Sequence, residues 1–392
     1  MYLVPIVVPI YVSGDQLFVT TEWKRSLVLL RDSLQGRYGD IAVVAPRGDW
    51  DPRAREQDVE RVRPESEGIQ LHPSIPAECR ARDYWMRFRR QWIDDNLALL
   101  DRADVVHSAL DDLYRPRMYD AWKLAVRRGL PTVFVQDTDA VLQIRELTAG
   151  GSALQRLKWS VYCGLYERMC RRGVKRSSLS LLKGETLMRR YARFGRRVRE
   201  FHDTSYTSNE IVPLDTVRER TASLKSTRPL RLVYCGRLIE RKGVVEGIRM
   251  VAEARKLGAR IELDIIGDGP QRDQVRALIE SLDVRNGVRM LGSLAYGGGL
   301  IKQLATYDAL FFTPLGEDTP RMIFDGYAAG LPLVATTIEY VRERAAADKA
   351  TVGLPRNDVP AAARVLVEID GKRDELSALA VRAHEAGKFH AA

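Results

Sequence analysis

Residues 231–270 read RLVYCGRLIERKGVVEGIRMVAEARKLGARIELDIIGDGP, and the order of apolar runs and turns in them decides the fold. RLVYC (231–235) is a short run rich in strand formers, turned by Gly236-Arg237. Apolar positions at helical spacing fill 243–257, and IELDII (261–266) is a second strand, stopped by Gly267-Asp268-Gly269-Pro270. Strand, helix and strand in this order make a βαβ unit, whose right-handed crossover requires a parallel sheet. Working outward, the rhythm continues through a helix at 271–282, VRML (288–291), a helix at 300–306, ALFFT (309–313), a helix at 321–329 and LVAT (333–336). Upstream, strands are expected at 3–12, 41–45, 104–107, 132–136 and 178–182. Helices are expected at 17–35, 80–100, 115–129, 154–172 and 185–193. The expected class is therefore α/β, with two tandem doubly wound Rossmann-like domains.

The expected boundaries are an N-terminal domain over 1–215, a linker over 216–229, a C-terminal domain over 230–375 and a helix and tail over 376–392. The linker reading rests on Pro213, Pro229 and the Thr, Ser and charged residues between them. Residues 46–79 are polar and Pro-rich and read as an irregular insertion. Ligands of doubly wound sheets sit beyond the carboxyl ends of the strands, so tandem domains predict an active site in the cleft between them.

The composition fits a globular chain of 392 residues, with 45% hydrophobic and 29% charged residues, and excludes a mainly disordered one. The formal charge of +10 is not spread evenly. Residues 151–200 hold 14 Lys/Arg against 3 Asp/Glu, a net of +11, so the other 342 residues sum to −1. Four cysteines without C-x-x-C spacing and five histidines without H-x-x-x-H spacing argue against a disulfide scaffold or a zinc site. The apolar start MYLVPIVVPIYV lacks a basic flank and a cleavage site and is too short to span a bilayer, so a buried first strand is expected. The expected location is cytoplasmic, peripheral on the inner face of the membrane.

Gly236 and Arg237, with Lys242, stand at a strand end in the turn before a helix. Two cations and free backbone N–H groups there suit a diphosphate, while surface cations idle in solvent are the plain alternative. Glu317 and Asp325 are eight residues apart, around the N-terminus of the 321–329 helix. Carboxylates accept from vicinal sugar or ribose hydroxyls, and an acid at a helix start is equally a capping device. Asp325 lies inside an apolar helix, MIFDGYAA, where Asp is a poor former.

The succession GRL-x3-KG (236–243), GDGP (267–270) and E-x7-D running into AAGLPLVAT (328–336) resembles family 4 retaining glycosyltransferases of the GT-B fold. The resemblance is close over about 230–370 and loose over 1–215. It implies that Arg237 and Lys242 hold the donor diphosphate, that Glu317 faces the donor sugar and that Asp325, in place of the usual Glu, binds the ribose. It further implies that Leu294 meets the base through its backbone. Gly236, Thr319, Arg321 and Met322 complete the expected donor site. Pro320, which has no N–H, interrupts a loop that is usually Gly-rich.

In the first half the resemblance implies acceptor-side roles for Gly14, which stands for a Gly pair, and for His107, Asp137 and Asp139. Gln136 stands where the family commonly has His. Asp137-Thr138-Asp139 is also the metal-binding pattern of another glycosyltransferase fold. Because Arg237, Lys242 and a helix end already serve the diphosphate, no metal and no cofactor are expected.

The expected function is transfer of a sugar from a UDP- or GDP-sugar to a hydroxyl of a glycan or lipid-linked acceptor in cell-surface polysaccharide or glycolipid synthesis. The alternatives are a non-catalytic nucleotide-sugar-binding subunit and a sugar-nucleotide epimerase. An anionic membrane surface is a further expected partner. It would be met through an aromatic stripe of Tyr84, Trp85, Phe88 and Trp92 on the 80–92 helix and through the basic segment 151–200, the plain alternatives being a stripe packed into the domain core, the more frequent use of one, and a solvated basic face. Nucleic acid is not expected, since no binding motif accompanies the charge.

Overall fold

The structure, a computed structural model, describes residues 1–34, 37–50, 59–148, 150–204, 206–225, 228–294 and 297–391. It divides into two compact units, Met1–Phe201 and His202–Ala392.

The first unit carries ten strands among the described residues: β1 (Tyr2–Pro5), β2 (Ile10–Ser13), β3 (Gln16–Thr20), β4 (Ile41–Asp49), β5 (Val59–Arg61), β6 (Ile69–Pro76), β7 (Val105–Ala109), β8 (Thr132–Gln136), β9 (Leu179–Lys183) and β10 (Val198–Phe201). The parallel part runs β10-β9-β8-β7-β1-β4, and β6 pairs with β4. From β1 the chain winds one way through β4 and β6, then the other way through β7 to β10. The winding reverses between β1 and β7.

Four expectations change here. The 3–12 run is not one strand: Pro5 and Pro9 have no N–H for a ladder, and the chain breaks between β1 and β2. Gly14 then falls at the tip of the antiparallel β2–β3 hairpin, with φ of +56°, rather than after the first parallel strand. The start of the expected 17–35 helix belongs to β3, and the helix is Thr21–Leu34. The 46–79 insertion contains β6, an ordered parallel strand; 51–58 lie outside the described residues. Its Pro73 and Pro76 conceal it in the sequence but are tolerated on a strand that pairs along one edge only.

The 80–92 stripe is also divided. Tyr84–Phe88 forms a π-helical turn, which rotates the faces of the flanking helix. Tyr84 and Trp92 are buried in the core, Trp85 is exposed, and the indole of Trp85 donates to the Tyr114 carbonyl at 2.8 Å. Most of the stripe is core packing rather than a surface.

The second unit holds β11 (Leu230–Cys235), β12 (Ile261–Ile266), β13 (Val288–Gly292), β14 (Ala309–Phe312), β15 (Leu333–Thr336) and β16 (Thr351–Leu354). All are parallel, in the order β13-β12-β11-β14-β15-β16. Both faces are covered, which is why these strands read as continuous apolar runs. The winding reverses between β11 and β14, where Leu232 and Val233 lie in register with Ala309 and Leu310.

The expected linker is structured. A helix spans Leu214–Ala222, with Val217 and Leu224 buried in the second unit, and Arg220 donates to the Ala305 and Ala329 carbonyls at 2.9 Å each. Thr216, Arg218 and Glu219 mark the outer face of that helix; 226 and 227 lie outside the described residues. The unit boundary accordingly falls at 201/202 instead of 215, and the helix Arg373–Phe389 packs into the same unit. Tyr206 donates to the Gly387 carbonyl at 2.8 Å, and a Cβ on Gly387 would lie 2.6 Å from the Tyr327 carbonyl oxygen.

Candidate donor site

The reversal point of the second sheet gathers four chain segments. After β11 the chain runs Gly236-Arg237 into a 3-10 turn, Glu240–Lys242, and then into the helix Val244–Lys256. After β14 it runs through Thr313 to Asp318 into the helix Met322–Ala328. Gly243 joins the first turn to its helix at φ +65°, and a Cβ there would meet the Thr313 carbonyl oxygen at 1.8 Å. Thr313 Oγ1 donates to the Gly243 carbonyl at 2.8 Å, and Leu315 N donates to the Arg241 carbonyl at 3.0 Å. The two loops are thus fixed to each other by backbone contacts that only glycine permits. From the β12 side, Gly267 at φ +141° approaches as closely: its Cβ would lie 2.0 Å from the Gly236 carbonyl oxygen.

On this frame Lys242 Nζ lies 2.5 Å from Asp318 Oδ2, and Arg241 Nη1 donates to Asp318 Oδ1 at 2.8 Å. Burial pushes the Asp318 carboxyl up, but Lys242 and Arg241 more than offset this and hold it below the usual range. Arg237 is exposed and makes no ion pair among the described residues. Of the two expected diphosphate cations, one is therefore open and one is engaged by Asp318. That partner was not foreseen, although its place beside Glu317 was the available signal.

Glu317 is buried, and its two oxygens accept from Glu339 N at 3.1 Å and Tyr340 N at 3.0 Å, the first turn of the helix Glu339–Asp348. It caps that helix. Asp325 is buried on the helix Met322–Ala328. Burial pushes the Cys235 thiol up to about 12, and the Asp325 carboxylate adds to the shift. Arg321 Nε lies 3.5 Å from Asp203 Oδ2. Thr319 and Met322 are half-buried beside it, and Leu294, exposed, follows β13.

The acceptor-side candidates lie in the first unit and do not form one cluster. His107 is in the middle of β7, with Nδ1 3.1 Å from Tyr2 Oη, and burial pushes its pKa down to about 4. Asp137 is exposed after β8. Asp139 is buried: Oδ1 accepts from Leu142 N at 2.9 Å, and Oδ2 lies 2.9 Å from Arg190 Nε. Its carboxylate is spent on a helix start and an ion pair. Gln136 is held by Tyr166 Oη at 2.8 Å and so fills the family's His position with a buried network. No group of three or more His, Cys, Asp or Glu that could hold a metal occurs among the described residues.

One group the sequence did not single out is Asp111, just beyond β7 at the first sheet's own reversal point. It accepts from Arg117 N at 3.1 Å and Met118 N at 3.2 Å. Burial pushes its carboxyl up to about 7.

Residues 215–376 match the family model of glycosyl transferases group 1. LpsD of Rhizobium meliloti, a lipopolysaccharide core biosynthesis glycosyltransferase, is 34% identical over 110 residues, covering 28% of this chain and 29% of that protein. WcaL of Escherichia coli, a putative colanic acid biosynthesis glycosyltransferase, is 28% identical over 165 residues, covering 40% of each. The chain thus matches less than half the length of these relatives. Among solved structures, HepE of Anabaena in complex with UDP superposes with a TM-score of 0.65 at 12% identity, covering 99% of this chain and 95% of that one. The α/β fold with two doubly wound units is thereby that of GT-B proteins.

Proposed function

We propose that the chain is a retaining, metal-independent glycosyltransferase. It would move a sugar from a nucleotide-sugar to a hydroxyl of a glycan or lipid-linked acceptor in cell-surface polysaccharide synthesis. The observation that carries this reading is the setting of three groups at the adjacent ends of β11 and β14: Arg237 follows β11, the Lys242 ammonium stands 5.7 Å over the Phe312 ring, and the Asp325 carboxylate acts on Cys235. The match of 215–376 to the group 1 family and the likeness to enzymes of lipopolysaccharide and colanic acid synthesis support it. The UDP bound by HepE makes UDP the first nucleotide to try.

In this reading Asp325 accepts from the ribose hydroxyls, and the diphosphate takes Arg237 and Lys242. Lys242 exchanges one anion for another, Asp318 for phosphate, so no charge is left bare in either state. As the sugar departs, negative charge builds on the diphosphate, and both cations are better partners for it then than in the ground state. A donor phosphate oxygen takes the acceptor proton on the face the diphosphate leaves, which retains the anomeric configuration. Glu317 orients the sugar from a carboxylate already fixed by two backbone donors.

Arg237→Ala and Lys242→Ala should each lower transfer by roughly 10²–10³-fold. Calorimetric titration with UDP and GDP should show weakened binding, with the melting temperature little changed. Turnover like wild type in either variant would sink the proposal. Tight UDP binding without transfer to any acceptor would favour a non-catalytic subunit. Glu317→Ala is a poor probe, because it also uncaps the helix Glu339–Asp348.

A further inference from the structure

The basic segment contains a helix of 24 residues, Ala153–Arg176, started by a capping box of Ser152 and Gln155. One face carries Cys163, Tyr166, Cys170, Gly173 and Val174, all buried in the first unit. The opposite face is exposed along its whole length, and steps of three and four residues define it: Leu154, Leu157, Val161, Leu165, Arg168, Arg172, Lys175. The four apolar residues are 77%, 62%, 57% and 52% exposed. Such a row is not an ordinary scatter of surface leucines. The basic residues that follow, with Arg176 beside them, make no ion pair among the described residues, whereas Arg171, off the row, pairs with Glu167 at 3.1 Å. The Lys158 ammonium stands 5.5 Å over the Trp159 ring.

We propose that this face docks on an anionic lipid bilayer, with the helix lying in the interface. The Leu154–Leu165 half would enter the acyl boundary, and the Arg168–Arg176 half would meet acidic headgroups. The division of one face into an apolar half and an unneutralised cationic half argues for lipid over a second copy of the chain. Antiparallel pairing of two copies would lay each basic half on the other's leucines. Parallel pairing would stack cation on cation. A bilayer offers acyl chains and anions side by side. The inference does not rest on the donor site.

The test is cosedimentation of the full chain with phosphatidylglycerol vesicles and with phosphatidylcholine vesicles. The intact protein should bind the first and not the second, and bind less as salt is raised. Replacing Leu154, Leu157, Val161 and Leu165 by Ser should lower binding at least about tenfold. Replacing Arg168, Arg172, Lys175 and Arg176 by Gln should lower it at least about a hundredfold, at about fivefold per charge. All eight side chains are exposed, so circular dichroism should stay that of wild type; if the Ser variant unfolds, the Gln variant decides alone. Failure of the intact protein to bind phosphatidylglycerol overturns the proposal, as does unchanged binding by the Gln variant or by a folded Ser variant. A dimer that the Ser substitutions dissociate, with vesicle binding unchanged, would assign the face to self-association. UDP binding should be unaltered in both variants; its absence in the intact protein would refute the donor reading and leave this one standing.

Discussion

Lys242 and Asp318 pose the sharpest question at the scale of single residues, because a cation offered to a diphosphate is already held by a carboxylate 2.5 Å away. Arg241 holds the same carboxylate, which keeps Asp318 ionised well into acid: any stability the pair gives is present above the ordinary carboxylate range and lost as pH falls through the depressed pKa. Near neutrality the acid is therefore a constant competitor with the nucleotide, not a titrating one. Asp318→Asn keeps the shape and removes the charge. UDP affinity in this variant should rise by at least about fivefold, about 1 kcal/mol being the worth of an exposed ion pair and this one being largely covered, and its pH dependence between 6 and 8 should match wild type. Titration calorimetry at two pH values checks both; weaker binding would mean that Asp318 orders the loop for the donor instead of competing with it. Glu317 carries a related lesson. Its residue type and spacing were legible in the sequence, but its engagement by Glu339 N and Tyr340 N was not, because that contact depends on where β15 delivers the next helix.

At the scale of elements, strands buried on both faces were easy to read and those at the margins were not. β11, β12, β14 and β15 stand out as apolar runs because helices cover them on each side. β6 pairs along one edge, tolerates Pro73 and Pro76, and so loses the signal that would have revealed it. The Leu214–Ala222 helix was hidden for a different reason: it buries Val217 and Thr221 but shows solvent a run of charges that resembles a linker. The glycines of the donor loops carry more information than their neighbours, since they mark where backbones touch. Gly243→Ala should cost at least about 1–2 kcal/mol for a left-handed alanine, and more for displacing Thr313. Gly258→Ala is the control, with φ of +96° and nothing within 4 Å of the added Cβ. Urea unfolding should show the first variant clearly less stable than the second, and UDP binding should fall in the first alone. Equal losses would mean that the contact between the loops is not tight.

On the scale of the whole molecule, charge and aromatic residues are divided between the units in a way that gives each its own reporter. Residues 1–201 hold 35 Lys/Arg against 26 Asp/Glu, a net of +9, and residues 202–392 hold 27 against 26, a net of +1. The basic excess thus belongs to the unit that carries the proposed lipid-facing helix, and the donor site lies in a nearly neutral one. All six tryptophans, Trp23, Trp50, Trp85, Trp92, Trp122 and Trp159, also lie in the first unit. Each hydrophobic cluster draws its buried residues from one unit alone. A ligand of the donor site should then stabilise one set of clusters and leave the other as it was. At a hundred times its dissociation constant UDP adds about 2.7 kcal/mol to whatever unfolds with its site. In thermal melts of the full chain, the part of the circular dichroism transition that comes from residues 202–392 should move upward with UDP. Tryptophan emission, blind to that unit, should keep its midpoint. A tryptophan transition that shifts in step with UDP would show that the two units unfold as one, and a shift of tryptophan emission alone would place the nucleotide on the first unit and overturn the donor site.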